Sequence, residues 1–229
     1  MGIGYGPRVV TDGLVLALDA GDTNSYPGSG TTWTDLSGQG NNGTLVNGPT
    51  YSGSDGGYLS FDGVNDYVST NYTATFQDFT LCAFVKANNP NGKTWEDIID
   101  SYDIDSSDWC RITFRDGRPS LEIDANSVRS SVTSPTIATA DQWYHIVGVR
   151  SGTTGYLYID GILNKQNSVT GNVISADTDS QFFIGNISRP TSPGEGWNGN
   201  IAQASIYNRA LTASEIQQNF NALRGRFGI

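Results

Sequence analysis

The chain has one histidine and two cysteines in 229 residues, and these shortages remove several chemistries at once. A zinc centre draws on clustered Cys and His; Cys82, Cys110 and His145 lie far apart in the sequence. A Ser-His-Asp triad would have to use His145, which stands mid-strand in Trp143-Tyr144-His145 with no nucleophile elbow nearby. A packed sheet histidine is the plainer expectation. Basic residues are also few. Thirteen Lys and Arg against 23 Asp and Glu leave a formal charge of −10. Such a surface offers no electrostatic footprint to nucleic acid or to an anionic membrane. No apolar run approaches a membrane span. Residues 1–8 lack the apolar core of a secretory signal, so export by a standard signal is not expected. A phosphate loop of the Gly-x4-Gly-Lys type is missing as well.

What the chain does have is glycine, 28 residues of it, spread evenly among short alternating segments. That composition fits many strands and turns in a single all-β domain. Gln142 to Gln166 is the clearest case. Trp143, His145, Val147 and Val149 alternate with Tyr144, Ile146, Gly148 and Arg150, a period of two that belongs to a strand. Ser151 to Gly155 supplies a turn, Tyr156 to Ile159 the return strand, and Asp160-Gly161 a second hairpin turn. Further strands are expected at 14–19, 58–62, 67–69, 79–87, 96–101, 109–115, 119–124, 181–185 and 200–207. Ala20 to Gly43 reads as loop with Trp33 as its anchor, and Ser127 to Asp141 as a polar segment wrapping an edge. Cys82 and Cys110 each sit in an apparent strand. They are expected as buried free thiols, or as a disulfide if those strands are neighbours. One helix is signalled after Leu211: Thr212 as N-cap, Glu215 completing a capping box, and Ile216, Phe220 and Leu223 on one face.

Asp19, Asp22, Asp35, Asn42 and Asp62 stand in loops and turns as candidate calcium ligands, since hard oxygen donors on loops suit that ion. The same residue types stabilise turns through their own backbone contacts.

The Trp-Tyr-His strand and the Tyr-Leu-Tyr-Ile-Asp-Gly hairpin resemble the centre of laminin-G-like jelly rolls in the concanavalin A-like lectin and glucanase superfamily. Ser37 to Gly43, Phe61 to Val68 and Ile206 to Ile216 agree with it in order. The resemblance implies a two-sheet antiparallel jelly roll with a short C-terminal helix: an arm over residues 1–12, the domain over 13–223 and a tail over 224–229. It also implies neighbouring first and last strands.

Laminarinase-type relatives carry Glu-x-Asp-x-x-Glu or Glu-x-Asp-x-Glu on one strand. Here Glu122 and Asp124 match, but Asn126 and Ser127 stand where the third carboxylate belongs. Retaining hydrolysis needs two separate carboxyl groups about 5 Å apart, so no enzyme activity is expected. Many relatives carry an acidic pair where this chain has Ala202-Gln203. No cofactor is therefore required, with a structural calcium the one candidate. For sugar binding the resemblance points to a rim or sheet face, with Trp95, Tyr102, Trp109, Arg111 and Trp197 as candidates.

The opening Gly6-Pro7-Arg8-Val9-Val10-Thr11-Asp12-Gly13 and the closing Arg224 to Ile229 resemble single-domain virion structural proteins of tailed bacteriophages. That resemblance implies a decoration protein on the virion, with other virion proteins, copies of itself or host-surface glycans as partners. Tyr5, Arg8, Arg224, Arg226 and Phe227 are the candidate docking residues on otherwise free ends. The alternative settings are a secreted carbohydrate-binding adhesion domain in the extracellular space and a laminarinase-type glycoside hydrolase.

Overall fold

The computed structural model describes residues 7–73, 75, 77–101, 108–170, 181–186 and 195–229. In chain order the strands are β1 (Leu14–Asp19), β2 (Thr32–Trp33), β3 (Gly43–Val46), β4 (Thr50–Ser52), β5 (Tyr58–Asp62), β6 (Tyr67–Thr73), β7 (Phe79–Ala87) and β8 (Trp95–Asp100). Then follow β9 (Trp109–Arg115), β10 (Arg118–Ala125), β11 (Val128–Thr133), β12 (Trp143–Ser151), β13 (Thr154–Ile159), β14 (Ile162–Ser168), β15 (Gln181–Ile184) and β16 (Asn198–Tyr207). A helix, α1 (Ala213–Leu223), comes last, before a short 3-10 turn.

The strands form two antiparallel sheets. The first runs β14-β13-β12-β7-β16-β5-β4, with β1 also on β16; the second runs β11-β10-β9-β8-β15-β6-β3-β2. β5 pairs with Asn198 to Ile201, and β1 with Gln203 to Tyr207, so the two lie end to end along one edge of β16. The first and last strands are thus partners. Period-two alternation sends Leu81, Ile112, Leu121, Ile146 and Leu157 between the sheets, all fully buried. Gly148 lets the layers approach: a Cβ there would stand 2.7 Å from Ile112 Cγ2 and 2.9 Å from Leu121 Cδ1. Asp160 (φ 52°) and Gly161 (φ 76°) form the two-residue β13–β14 turn. Both positions lie in the left-handed region, as a type I′ hairpin requires.

Helix α1 covers the outer face of the first sheet. Thr212 accepts from the Glu215 amide, and the Glu215 carboxylate accepts from the Thr212 amide, completing the capping box. Ile216 and Phe220 are buried against that sheet with Leu211, Tyr207 and Phe84. Arg209 donates to both Glu215 carboxylate oxygens, at 2.6 and 3.0 Å, and this holds that carboxyl down to about 2. Thr212→Ala should lower stability by about 1 kcal/mol through loss of the cap. Urea unfolding of the variant checks this; an unchanged midpoint would mean that the helix end contributes nothing to the fold.

The two ends pack on the same outer face. The Val10 amide donates to Asn219 Oδ1, the Tyr207 hydroxyl to the Val10 carbonyl, and Gln218 to the Arg8 carbonyl. Phe227 is a core residue, with its ring 4.7 Å from both Phe84 and Trp143. Arg226 pairs with Asp19 at 2.7 Å, and Arg224 lies over Phe220. Among the described residues the ends are therefore part of the domain, not free arms. The aromatic outer face of the first sheet gives Phe227 more burial than solvent would. Tyr5 lies outside the described residues.

Cys82 on β7 and Cys110 on β9 belong to different sheets and are free and buried. Burial pushes both thiols up to about 12. His145 is buried and stacked on Phe84 at 4.4 Å, and burial pushes it down to about 3. Two expectations from the loops change: part of the segment after Ala20 pairs as β2, and Val128–Thr133 is the edge strand β11 of the second sheet. Beyond the Asp160-Gly161 turn, Ile162–Ser168 forms an edge of the first sheet.

Candidate functional site

The second sheet differs from the first in what its outer face carries. No helix covers it among the described residues, and its central strands put charged and aromatic side chains there. On β9 the outward positions are Trp109, Arg111, Thr113 and Arg115; the inward ones are Cys110, Ile112 and Phe114. Register sets the rest. Trp95 on β8 stands opposite Arg115, and Arg111 stands opposite Asp100 on one side and Glu122 on the other. Asp124 is opposite both Trp109 and Arg129.

These side chains form a ladder. The Arg111 guanidinium lies 4.3 Å from the Trp95 ring centroid and 5.1 Å from that of Trp109. Arg115 lies 5.0 Å from Trp95, and Arg129 4.8 Å from Trp109. The order is Arg115, Trp95, Arg111, Trp109, Arg129, with cations and π faces in alternation. Carboxylates brace it from both sides. Arg111 stands 3.2 Å from Asp97, 3.5 Å from Asp100 and 3.9 Å from Glu195. Arg115 is 4.0 Å from Glu122, and Arg129 3.6 Å from Asp124. Asp97, Asp100 and Glu122 are fully buried, while the Arg115 and Arg129 side chains remain about half exposed at 45% and 56%. Burial raises the Asp97 carboxyl above its ordinary range, and Arg111 offsets only part of that. Burial acts to lower the Arg111 guanidinium, but Asp97, Asp100 and Glu195 outweigh it, so it stays firmly charged. Among the described residues, Arg111 Nε, Asp97 Oδ1 and Asp124 Oδ1 make no hydrogen bond and are buried, though Asp97 Oδ1 lies 3.2 Å from the Arg111 guanidinium.

The structure brings together Trp95, Trp109 and Arg111 of the sugar-binding candidates. Tyr102 lies outside the described residues. Trp197 belongs elsewhere: it is fully buried between the sheets, edge-on to Phe114 at 5.0 Å. The family resemblance pointed to a rim or sheet face for it, but the indole fills the sandwich core. Arg129, Asp100 and Glu195 were missed. Only the period-two spacing of Arg129, Ser131 and Thr133 signalled a face, and polarity hid it.

The Glu122-Asp124 pair does share this face. Its third member is missing for a structural reason. β10 ends at Ala125, paired with Val128, and Asn126 (φ 53°) and Ser127 (φ 61°) form the two-residue turn between them. Those positions have left the sheet before a carboxylate could line up. Both Glu122 oxygens are also taken, by the Ser120 hydroxyl at 2.7 Å and the Ser131 hydroxyl at 2.6 Å.

The calcium candidates do not converge. Asp35 Oδ1 accepts from the Ala17 and Ser37 amides, and its Oδ2 from the Asn41 amide and the Ser37 hydroxyl. Asn42 Oδ1 accepts from the Asp35 amide. Asp22 and Asp62 accept from the amides two residues on, as Asx turns do. Asp19 pairs with Arg226 and accepts from the Gly21 amide. Among the described residues, no three His, Cys, Asp or Glu side chains gather as a metal site.

With this geometry in place, the comparisons are consistent in fold. The family model of Laminin_G_3, described as the concanavalin A-like lectin/glucanases superfamily, matches residues 62–217. Domain 4 of AbnA, an extracellular arabinanase from Geobacillus stearothermophilus solved with arabinotriose, is 16% identical with a TM-score of 0.72, covering 91% of this chain and 98% of that one. The botulinum neurotoxin serotype D binding domain is 15% identical with a TM-score of 0.70, covering 92% of this chain and 52% of that one. The binding domain of Paraclostridial Mosquitocidal Protein 1 is 17% identical with a TM-score of 0.64, covering 93% and 52%. This chain spans about half the length of those two toxin domains. At such identities the likeness is one of fold. No curated protein matches the sequence. The family model spans well over half of the chain, and the two-sheet sandwich agrees with it: the chain belongs to the concanavalin A-like lectin/glucanase superfamily.

Proposed function

We propose that this is a non-catalytic carbohydrate-binding domain whose binding face is the Trp95–Arg111–Trp109 ladder on the second sheet. The observation that carries the reading is the ladder itself. It sets the partly exposed Trp95 ring, with the buried Trp109 ring behind Arg111, among charged side chains on the sheet face that no helix covers among the described residues. Rings meet the apolar face of a sugar while fixed polar groups meet its hydroxyls. The solved neighbours include an arabinanase domain in complex with arabinotriose, which adds support from fold alone. Catalysis is disfavoured by the chemistry of Glu122. A nucleophile must reach the anomeric carbon, and this carboxylate is fully buried with both oxygens engaged by serine hydroxyls. The reading requires no cofactor.

A glycan array followed by calorimetry tests it, together with a reducing-end assay on laminarin, agar, carrageenan and xylan. The expected result is binding without turnover. Trp95→Ala should lose binding and keep the wild-type melting behaviour, since Trp95 is only partly buried. Turnover that disappears in Glu122→Gln would overturn the non-catalytic reading, and an empty array would overturn the lectin-like one.

The setting we propose is the surface of a phage virion, from the resemblance of the opening and closing segments. Its partners there would be other virion proteins, copies of itself or host glycans. Mass spectrometry of purified particles decides this: the chain's absence from them would move the domain to an extracellular role.

A further inference from the structure

We infer that the ladder face takes an acidic glycan chain, with the Arg115 and Arg129 guanidiniums binding its carboxylate or sulfate groups at the two ends of the ladder. This rests on the carbohydrate-binding reading above and deepens it. The first argument is availability. Arg111 is 7% exposed and stands among three carboxylates, so its charge is spent within the protein. Arg115 and Arg129 differ. Their side chains are 45% and 56% exposed, and their carboxylate neighbours stand beyond hydrogen-bond range, Glu122 at 4.0 Å and Asp124 at 3.6 Å. Arg209 shows a fork in use in the same chain, donating to both oxygens of Glu215 at 2.6 and 3.0 Å. Arg115 and Arg129 are positioned instead against the Trp95 and Trp109 rings, a contact that uses none of their hydrogen-bond donors. Each presents an open fork held in place beforehand, and such a fork matches the paired oxygens of a carboxylate or sulfate.

The second argument is the layering of charge. Asp97, Asp100 and Glu122 are fully buried and Asp124 nearly so, whereas the Arg115 and Arg129 side chains are about half exposed. A ligand laid on the face therefore meets positive charge before negative at both ends of the ladder. Glu195, partly exposed, stands at the middle beside Arg111. The centre, with the Trp95 ring, is thus left to a neutral part of the sugar chain. Register sets the spacing. Arg115 and Trp109 are at opposite ends of β9, and Arg129 is opposite Asp124, which is opposite Trp109. At about 3.3 Å per residue along a strand and about 4.8 Å between strands, the two anchors are roughly 20 Å apart. One sugar ring is shorter than that, so the ligand that engages both is a chain with acidic groups along it. The formal charge of −10 opposes an anion at long range, but salt screens it beyond about 10 Å at 0.1 M, and the forks act at contact.

Calorimetry with three panels of equal chain length tests the inference: neutral gluco-, manno- and arabino-oligosaccharides, oligogalacturonates, and sulfated galactans. An acidic panel should bind about tenfold more tightly than the neutral one, the worth of one charge-assisted contact. Arg115→Gln and Arg129→Gln should each narrow that gap several-fold. Arg115→Lys and Arg129→Lys keep the charge beside Glu122 and Asp124 but lose the planar fork, so they should melt as the wild type does and bind acidic chains with intermediate affinity. Neutral chains binding as tightly as acidic ones, or an acidic preference that both Gln variants leave unchanged, overturns the inference and leaves the carbohydrate-binding reading standing. Binding to none of the panels overturns that reading and the inference with it.

Discussion

Replacing Arg111 with methionine should destabilise the domain by about 3–5 kcal/mol at pH 7.5, the range for removing one partner of a buried charge cluster. The guanidinium is 7% exposed and lies within 4 Å of Asp97, Asp100 and Glu195. Methionine keeps most of the stem packed between the two indoles but takes away the only cation that faces Asp97 at salt-bridge distance among the described residues. Burial already raises the Asp97 carboxyl; without Arg111 it rises further. The loss should therefore be largest where Asp97 is ionised and should shrink in acid, as Asp97 takes up a proton. Urea unfolding of both proteins at pH 7.5 and pH 5 reads the two quantities. A loss under 1 kcal/mol at pH 7.5, or one independent of pH, would show that the ladder is not braced by this charge cluster. Glycan affinity should vanish in the same variant, because Arg111 separates the two rings.

The second large effect is a stability plateau made by two opposed buried groups. Glu96 points inward from β8, is 1% exposed, and burial pushes it up to about 7, with the Lys93 ammonium opposing and the Asp97 charge adding. An acid with a raised folded-state value binds more protons folded than unfolded between about 4.5 and 7. Stability therefore falls as pH rises through that window, by about 3 kcal/mol in full. His145 has the opposite sign. Burial pushes it from its ordinary 6.5 to about 3, so between those values the unfolded chain binds the extra proton. Its contribution is complete above 6.5 and is lost as pH falls towards 3, at about 1.4 kcal/mol per pH unit. The two slopes cancel from about 4.5 to 6.5. Glu96→Gln should unmask a profile that rises with pH across that span, and His145→Phe one that falls. Asp160, also raised by burial, adds to the falling side. Thermal melts of the three proteins from pH 4 to 8 provide the check. Parallel profiles would mean that neither group titrates in the fold as its burial requires.

How much of this could be read in the chain depends on the range of the interaction involved. Alternation over 143–150 and 156–159 needs only neighbours two residues apart, so the hairpin was legible, as was the capping box, which closes within four residues. Asp160-Gly161 announced its turn for the same reason. Weak alternation was not enough for Val128–Thr133 or Ile162–Ser168, both sheet edges whose exposed positions are polar or mixed. The missing third carboxylate was visible at Asn126 and Ser127, but the two-residue turn that displaces it was not.

The sequence by itself determined that this is an all-β sandwich with one capped helix and that its first and last strands belong together. Those properties follow from local pattern, composition and family order. Only the tertiary structure decided which aromatics share a face. Trp95, Trp109 and Trp197 look alike in sequence, yet register stacks the first two around Arg111 while the third fills the core against Phe114. It also decided that Phe227 and residues 8–10 dock on the outer face of the first sheet, leaving the polar face of the second without a covering helix among the described residues. Cross-strand neighbours are set by hydrogen-bond register between segments far apart in the chain. A strand's own residues say which side chains alternate, and the strands paired beside it say what each one meets.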